Sequence, residues 1–172
     1  MTDVHSPKVR SKNMRAVKAR NTKPEIKVRT GLHRLGFRYT CNKTNLPGKP
    51  DLYFKKYESV ILINGCFWHG HNCDLFHWPS SKREFWVKKI TDTQERDTRK
   101  IKELLDRNIK ILLIWECALK RKEQLANVIE MSANWLKNQN NIFSVIDKEG
   151  IYDVREIDKY FQRSRSKVPD GS

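Results

Sequence analysis

Residues 64–73 read N-G-C-F-W-H-G-H-N-C and crowd two thiols, two imidazoles and two large aromatic rings into one short stretch. An ordinary surface turn has no use for so much reactive chemistry, so this segment constrains the fold more than any other. Cys66, His71 and Cys73 supply three donors in C-x4-H-x-C spacing, and a tetrahedral structural zinc needs four. Cys117 is the best fourth ligand, because it follows the apolar run at residues 109–115, whose end can deliver its sulfur from a rigid strand. The plainer alternative is a set of buried thiols acting as small hydrophobes. His69 is left over by the metal and is therefore available as a general base or hydrogen-bond donor.

The 172 residues hold 35 Lys and Arg against 20 Asp and Glu, a formal net charge of +15 that favours polyanionic partners. The length suits one domain with tails. No apolar run reaches transmembrane length and the N-terminus has no signal-peptide core, which points to a soluble cytosolic protein without membrane association. In that compartment ligation explains the cysteines better than disulfides do, with Cys41 left without a role.

Residues 1–21 are dominated by Lys8, Arg10, Lys12, Arg15, Lys18 and Arg20, with Met14 and Val17 interleaved, and read as a basic arm that grips nucleic acid. The sequence T-K-P-E at residues 22–25 is a capping box, and Val28, Leu32 and Leu35 continue a helix that Gly36 ends. By spacing alone, Glu25 is a cap first and a holder of water or metal second. A short strand is expected at residues 37–39. The L-P-G-K-P loop then enters Asp51, and residues 52–54 and 59–63 form a hairpin that brings Asp51 beside Asn64. Asp51 is thus a candidate ligand for a hard divalent cation such as magnesium.

A long amphipathic helix follows over residues 81–107, with Asp97 near its apolar stripe. The strand at 109–115 is nearly all apolar and so central in a mixed sheet. A helix around Leu125 to Leu136 and a strand at 142–146 complete an α/β domain, a central mixed β-sheet flanked by helices. From residue 159 onward the composition is that of a basic, disordered tail. Trp115 and Trp135 are assigned to the core, whereas Phe67, Trp68 and Trp86 are candidates to stack on or wedge between bases.

These parts suit phosphodiester hydrolysis, and the motifs that carry them resemble one family. D-V-H at residues 3–5, R-S-K-N-M-R-A at 10–16, L-P-G-K-P-D at 46–51, G-C-F-W-H at 65–69, E-F-W at 84–86 and I-W-E-C-A-L at 114–119 resemble the very-short-patch-repair (Vsr) DNA mismatch endonucleases. The resemblance implies a restriction-endonuclease-like fold over residues 22–158 with a structural zinc. It also implies a magnesium-dependent nick 5′ of the thymine in a T:G mismatch, the lesion left when 5-methylcytosine deaminates. A monomer at the bacterial nucleoid, functionally linked to a cytosine-5 DNA methyltransferase, comes with it.

By position, the resemblance makes Asp51 and the main-chain carbonyl of Ile63 the magnesium ligands and His69 the general base, and it gives Glu25 a role organising metal-bound water. Cys66, His71, Cys73 and Cys117 become the zinc ligands, and Phe67, Trp68 and Trp86 the intercalating aromatics. Met14 belongs to an arm in the other groove, and Lys89 contacts the mismatch. Two positions depart from the best-known pattern. Ile63-Asn64 stands for threonine and a catalytic histidine, so Asn64 can hold a water but exchange no proton. Thr93 stands for an asparagine that helps read the mismatch. Two other readings remain open: a restriction-type endonuclease of the same fold that cuts paired duplex at a recognition sequence, and a catalytically silent zinc DNA-binding module.

Overall fold

The computed structural model describes residues 20–138 and 140–165. The arm that includes Met14 lies outside them, apart from Arg20 and Asn21. The first helix, α1 (Lys23–Arg34), begins at Thr22, whose extended backbone and side-chain oxygen cap the Glu25 amide at 3.4 Å. Pro24 sits in the first turn, where its missing N–H costs nothing. Val28 and Leu32 are buried, but Leu35 is 56% exposed. The helix stops at Arg34 and Gly36, at φ +89°, turns the chain away before Leu35 reaches the core face.

The strand expected at residues 37–39 is displaced to β1 (Thr40–Cys41), which pairs with Tyr53 and Leu52. Phe37 and Tyr39 instead turn their rings onto Phe54, at centroid distances of 6.3 and 5.7 Å. Aromatic packing takes these residues out of the ladder. β2 (Leu52–Phe54) and β3 (Ser59–Asn64) form the expected antiparallel hairpin.

From β3 the chain crosses through α2 (Arg83–Leu105) to β4 (Lys110–Trp115), parallel to β3, and through α3 (Lys122–Lys137) to β5 (Phe143–Asp147), parallel to β4. An antiparallel β6 (Gly150–Asp153) closes a six-stranded mixed sheet in the order β1-β2-β3-β4-β5-β6. The tail expected from residue 159 is replaced, as far as Arg165, by α4 (Ile157–Ser164), with Tyr160 and Phe161 buried. Two aromatic rings in a short helix outweigh its polar composition, because each buries a large apolar area.

Alternation along the strands sends Ile61, Leu112 and Ile114 toward α1 and α3, and Val60, Leu62, Ile111 and Leu113 toward α2 and α4. Trp115 and Trp135 are core residues as expected, each with its indole N–H satisfied at 2.8 Å, by the Tyr160 hydroxyl and by Ser144 Oγ. No helix among the described residues is long and apolar enough to cross a membrane.

Candidate active site and metal centre

The register pairs Asn64 with Trp115, so the parallel strands β3 and β4 end side by side. The loop after β3 and residues Glu116 and Cys117 after β4 therefore leave the sheet together, at the strand ends where open α/β sheets place their ligands. Asp51 enters β2 at the same edge, and the Ile63 amide donates to its Oδ2 at 2.7 Å. The hairpin register alone accounts for this pairing, since Leu52 faces Ile61.

Between residues 65 and 73 the chain folds back on itself. His69 N–H donates to the Gly65 carbonyl and His71 N–H to that of Cys66, at 3.3 and 3.0 Å. Gly70, at φ +61°, makes the turn where a Cβ would lie 2.4 Å from Gln94 Nε2. Gln94 reaches in from α2 and donates to the carbonyls of His69 and Gly70, at 3.3 Å each. The fold brings the donor atoms of Cys66, His71, Cys73 and Cys117 within 4.8 Å of one another, with His71 Nδ1 3.7 Å from the sulfurs of both Cys66 and Cys117. The Cys66–Cys117 hydrogen bond, with burial, pushes the Cys66 thiol up, and the same bond lowers Cys117 to about 5. A divalent cation at the centre of this group would satisfy donors that otherwise share protons.

The indole of Trp115 links this centre to the neighbouring cleft. It stacks on His71 at 4.1 Å and meets the edge of His69 at 6.3 Å. His69 turns away from the thiols: its Nδ1 donates to Oδ2 of Asp97 on α2, and Lys100 Nζ donates to Oδ1 of the same carboxylate at 3.0 Å. Burial would raise the Asp97 carboxyl, but the His69 hydrogen bond and charge and the Lys100 ammonium together hold it below the usual range. With Nδ1 committed to a carboxylate, Nε2 is left as the basic nitrogen.

His69 lines a cleft of ≈ 950 Å³ whose other walls include Glu25, Asp51, Ile63, Asn64 and Lys89. Burial pushes the Asp51 carboxyl up to about 6; the Ile63 amide opposes this and the charge of Glu25 adds to it. A buried carboxylate whose proton affinity is raised, in a cleft shared with a second carboxylate and an oriented imidazole, can hold a hard cation and activate a water beside it. Glu25 is only 4% exposed and also performs its capping work. Its Oε1 accepts from the Thr22 hydroxyl at 2.8 Å, and its Oε2 from the Asn21 amide at 3.0 Å and from Arg29 at 2.7 Å. The box is shifted by one residue, with Asn21 rather than Thr22 giving the backbone donor.

Phe67, Trp68 and Trp86 form one half-buried cluster in which Phe67 lies 5.2 Å edge-to-face from each indole. Lys89 Nζ sits 5.5 Å over both indoles. Thr93 is one turn further along α2 with its hydroxyl donated to the Lys89 carbonyl at 2.9 Å, on the wall of a groove shared with His69 and Arg96.

Asp97, Lys100, Gln94 and Glu116 join the site without a role having been read for them. Gln94 and Asp97 were detectable: with Ile90, Ile101 and Leu104 they complete the buried stripe of α2 at helical spacing, and a polar side chain on such a stripe needs a partner. Glu116, which accepts the Cys66 amide at 3.3 Å, carries no such local signal.

A model of the DNA mismatch endonuclease Vsr family matches residues 2–75. The chain is 38% identical to the DNA mismatch endonuclease Vsr of Escherichia coli over 154 residues, 88% of this chain and 98% of that protein. It is 43% identical over 122 residues to the type II nicking enzyme V.NmeAIP of Neisseria meningitidis serogroup A, covering 71% of this chain and 87% of the relative. To the type II nicking enzyme V.XorIIP of Xanthomonas oryzae it is 36% identical, over 77% of this chain and the whole of the relative.

Proposed function

The chain belongs to the DNA mismatch endonuclease Vsr family, and from that membership we propose that it nicks duplex DNA 5′ of the thymine in a T:G mismatch by magnesium-dependent hydrolysis. It is a DNA endonuclease, and so a phosphodiester hydrolase. The observation that carries the mechanism is the His69–Asp97 pair lining the same cleft as Asp51 and Glu25.

His69 Nε2 takes the proton of the attacking water while Asp97 holds Nδ1–H and stabilises the imidazolium that results. Asp51 and the Ile63 carbonyl are the magnesium ligands, and the raised proton affinity of Asp51 in company with Glu25 supports a cation there. Bound magnesium supplies Lewis-acid stabilisation of the phosphoryl oxygens and of the leaving oxygen. Glu25 and Asn64 orient water by hydrogen bonds, and Asn64 transfers no proton.

Cys66, His71, Cys73 and Cys117 hold zinc. Zinc–sulfur and zinc–nitrogen distances of about 2.3 and 2.0 Å at a tetrahedral angle give a sulfur–nitrogen edge of about 3.5 Å, which the two 3.7 Å separations approach. Phe67, Trp68 and Trp86 enter the duplex at the mismatch, Lys89 and Thr93 contact the mispaired bases, and the arm at residues 1–21, with Met14, grips the other groove.

The mixed sheet, with Asp51 at the entrance of its β2–β3 hairpin, supports a restriction-endonuclease-like fold. The protein acts as a monomer in the bacterial cytoplasm at the nucleoid, on lesions left by a cognate cytosine-5 methyltransferase.

The deciding experiment is nicking of labelled duplexes carrying T:G or T:A in varied flanking sequence, with magnesium or without. A magnesium-dependent nick 5′ of thymine in T:G alone is the expected result. Equal cutting of the paired duplex would establish the restriction-type reading, and tight binding without a nick the silent module.

A further inference from the structure

We propose that Lys100 is a positioning residue for the base, locking the Asp97 carboxylate so that His69 is held in one orientation toward the cleft. The inference rests on the hydrolytic reading above. The Asp97 carboxylate is divided between two donors, Oδ2 to His69 Nδ1 and Oδ1 to Lys100 Nζ at 3.0 Å. A carboxylate held on one oxygen only can rotate about its terminal torsion, which has broad minima. Fixing the second oxygen removes that freedom and, with it, the swing of the imidazole. Both side chains of the ion pair are largely buried, 18% exposed for Lys100 and 9% for Asp97, so the bond is shielded from solvent competition.

The route of the lysine argues for a built arrangement. Its stem passes the backbone of Gly48, where a Cβ would lie 1.7 Å from Lys100 Cδ and 2.3 Å from Cγ. Gly48 is held at φ +69°, a conformation that glycine alone adopts without strain. The loop that leads into Asp51 thus also leaves the channel through which Lys100 reaches Asp97. Among the other lysines lining the cleft, Lys89 is engaged over the Trp68 and Trp86 rings.

The test compares wild type, Lys100→Met and Lys100→Arg in nicking of the T:G duplex. Methionine keeps the stem that packs past Gly48 and removes the ammonium, and arginine restores a cation. Loss of orientation at the base predicts a fall in kcat of about tenfold to a hundredfold in Lys100→Met, with KM within about twofold of wild type and substantial recovery in Lys100→Arg. A rise in KM at unchanged kcat would overturn the proposal, because the lysine would then merely attract phosphate; so would unaltered kinetics.

A second readout needs no activity: long-range ¹H–¹⁵N NMR of the His69 ring, which reports which nitrogen carries the proton. The wild type should show a single tautomer with the proton on Nδ1, and Lys100→Met a mixture. Unchanged spectra would refute the positioning role. A wild type that nicks no duplex, yet loses its single tautomer in Lys100→Met, would locate the failure in the proposed function instead.

Discussion

Replacing Asp51 with asparagine should abolish nicking and, at the same time, stabilise the magnesium-free protein. Lifting the carboxyl from its ordinary 3.8 to about 6 means that the folded state disfavours the carboxylate by about 3 kcal/mol at neutral pH, at about 1.4 kcal/mol per factor of ten in proton affinity. Asparagine is nearly isosteric, carries no charge to desolvate or to repel Glu25, and can still accept the Ile63 amide through its side-chain oxygen. The expected gain in zinc-loaded, magnesium-free protein is therefore about 2–3 kcal/mol, read as a higher urea midpoint at an unchanged slope.

The sign of the pH dependence follows from the raised folded-state value. The folded protein binds a proton at Asp51 more tightly than the unfolded chain, so the wild type recovers stability as pH falls through about 6 toward 3.8. The advantage of Asp51→Asn should be full above that window and vanish below it. Magnesium should narrow the difference at neutral pH by stabilising the wild type alone. An asparagine variant no more stable than wild type at neutral pH, or equally advantaged at both ends of the window, would refute the burial argument.

Asp97→Asn should leave the melting transition cooperative but lower single-turnover nicking by about a hundredfold to ten-thousandfold. It removes the negative charge and turns one of the two accepting oxygens into an NH2 donor, which with Lys100 on the remaining oxygen faces His69 and favours the wrong tautomer. Cys117→Ser, or extraction of zinc, should cost more than about 4 kcal/mol in denaturant titrations and end activity, because binding energy at such a centre is folding energy; an apo protein with unchanged melting and full activity would count against a structural metal. Trp68→Ala should reduce discrimination between T:G and T:A duplexes by about tenfold or more, the scale of one lost base stack, while leaving the magnesium requirement intact; equal discrimination in the variant would exclude a wedging role.

Local patterns carried much of this molecule. The capping residues around Thr22 and Glu25, the β2–β3 hairpin with Asp51 at its entrance, and the central strand β4 were legible because each is dictated by neighbours a few residues away. Three donors of the candidate metal centre were legible for the same reason, lying between residues 66 and 73 of one loop. The strand expected at residues 37–39 failed where ring packing on Phe54 outweighed propensity, and the tail expected from residue 159 failed where Tyr160 and Phe161 found core to cover.

What the sequence by itself determined is the set of reactive groups and the short-range geometry that presents them, since spacing along one strand, turn or helix converts directly into distance. Tertiary structure alone decided which polar groups meet across elements: Asp97 with His69, Lys100 with Asp97 past Gly48, and Glu116 with the Cys66 amide. A buried stripe reveals that Asp97 faces inward, but its partner depends on how α2 crosses the sheet and where β3 ends. Those placements come from packing summed over two core layers, and no stretch of sequence a few residues long contains them.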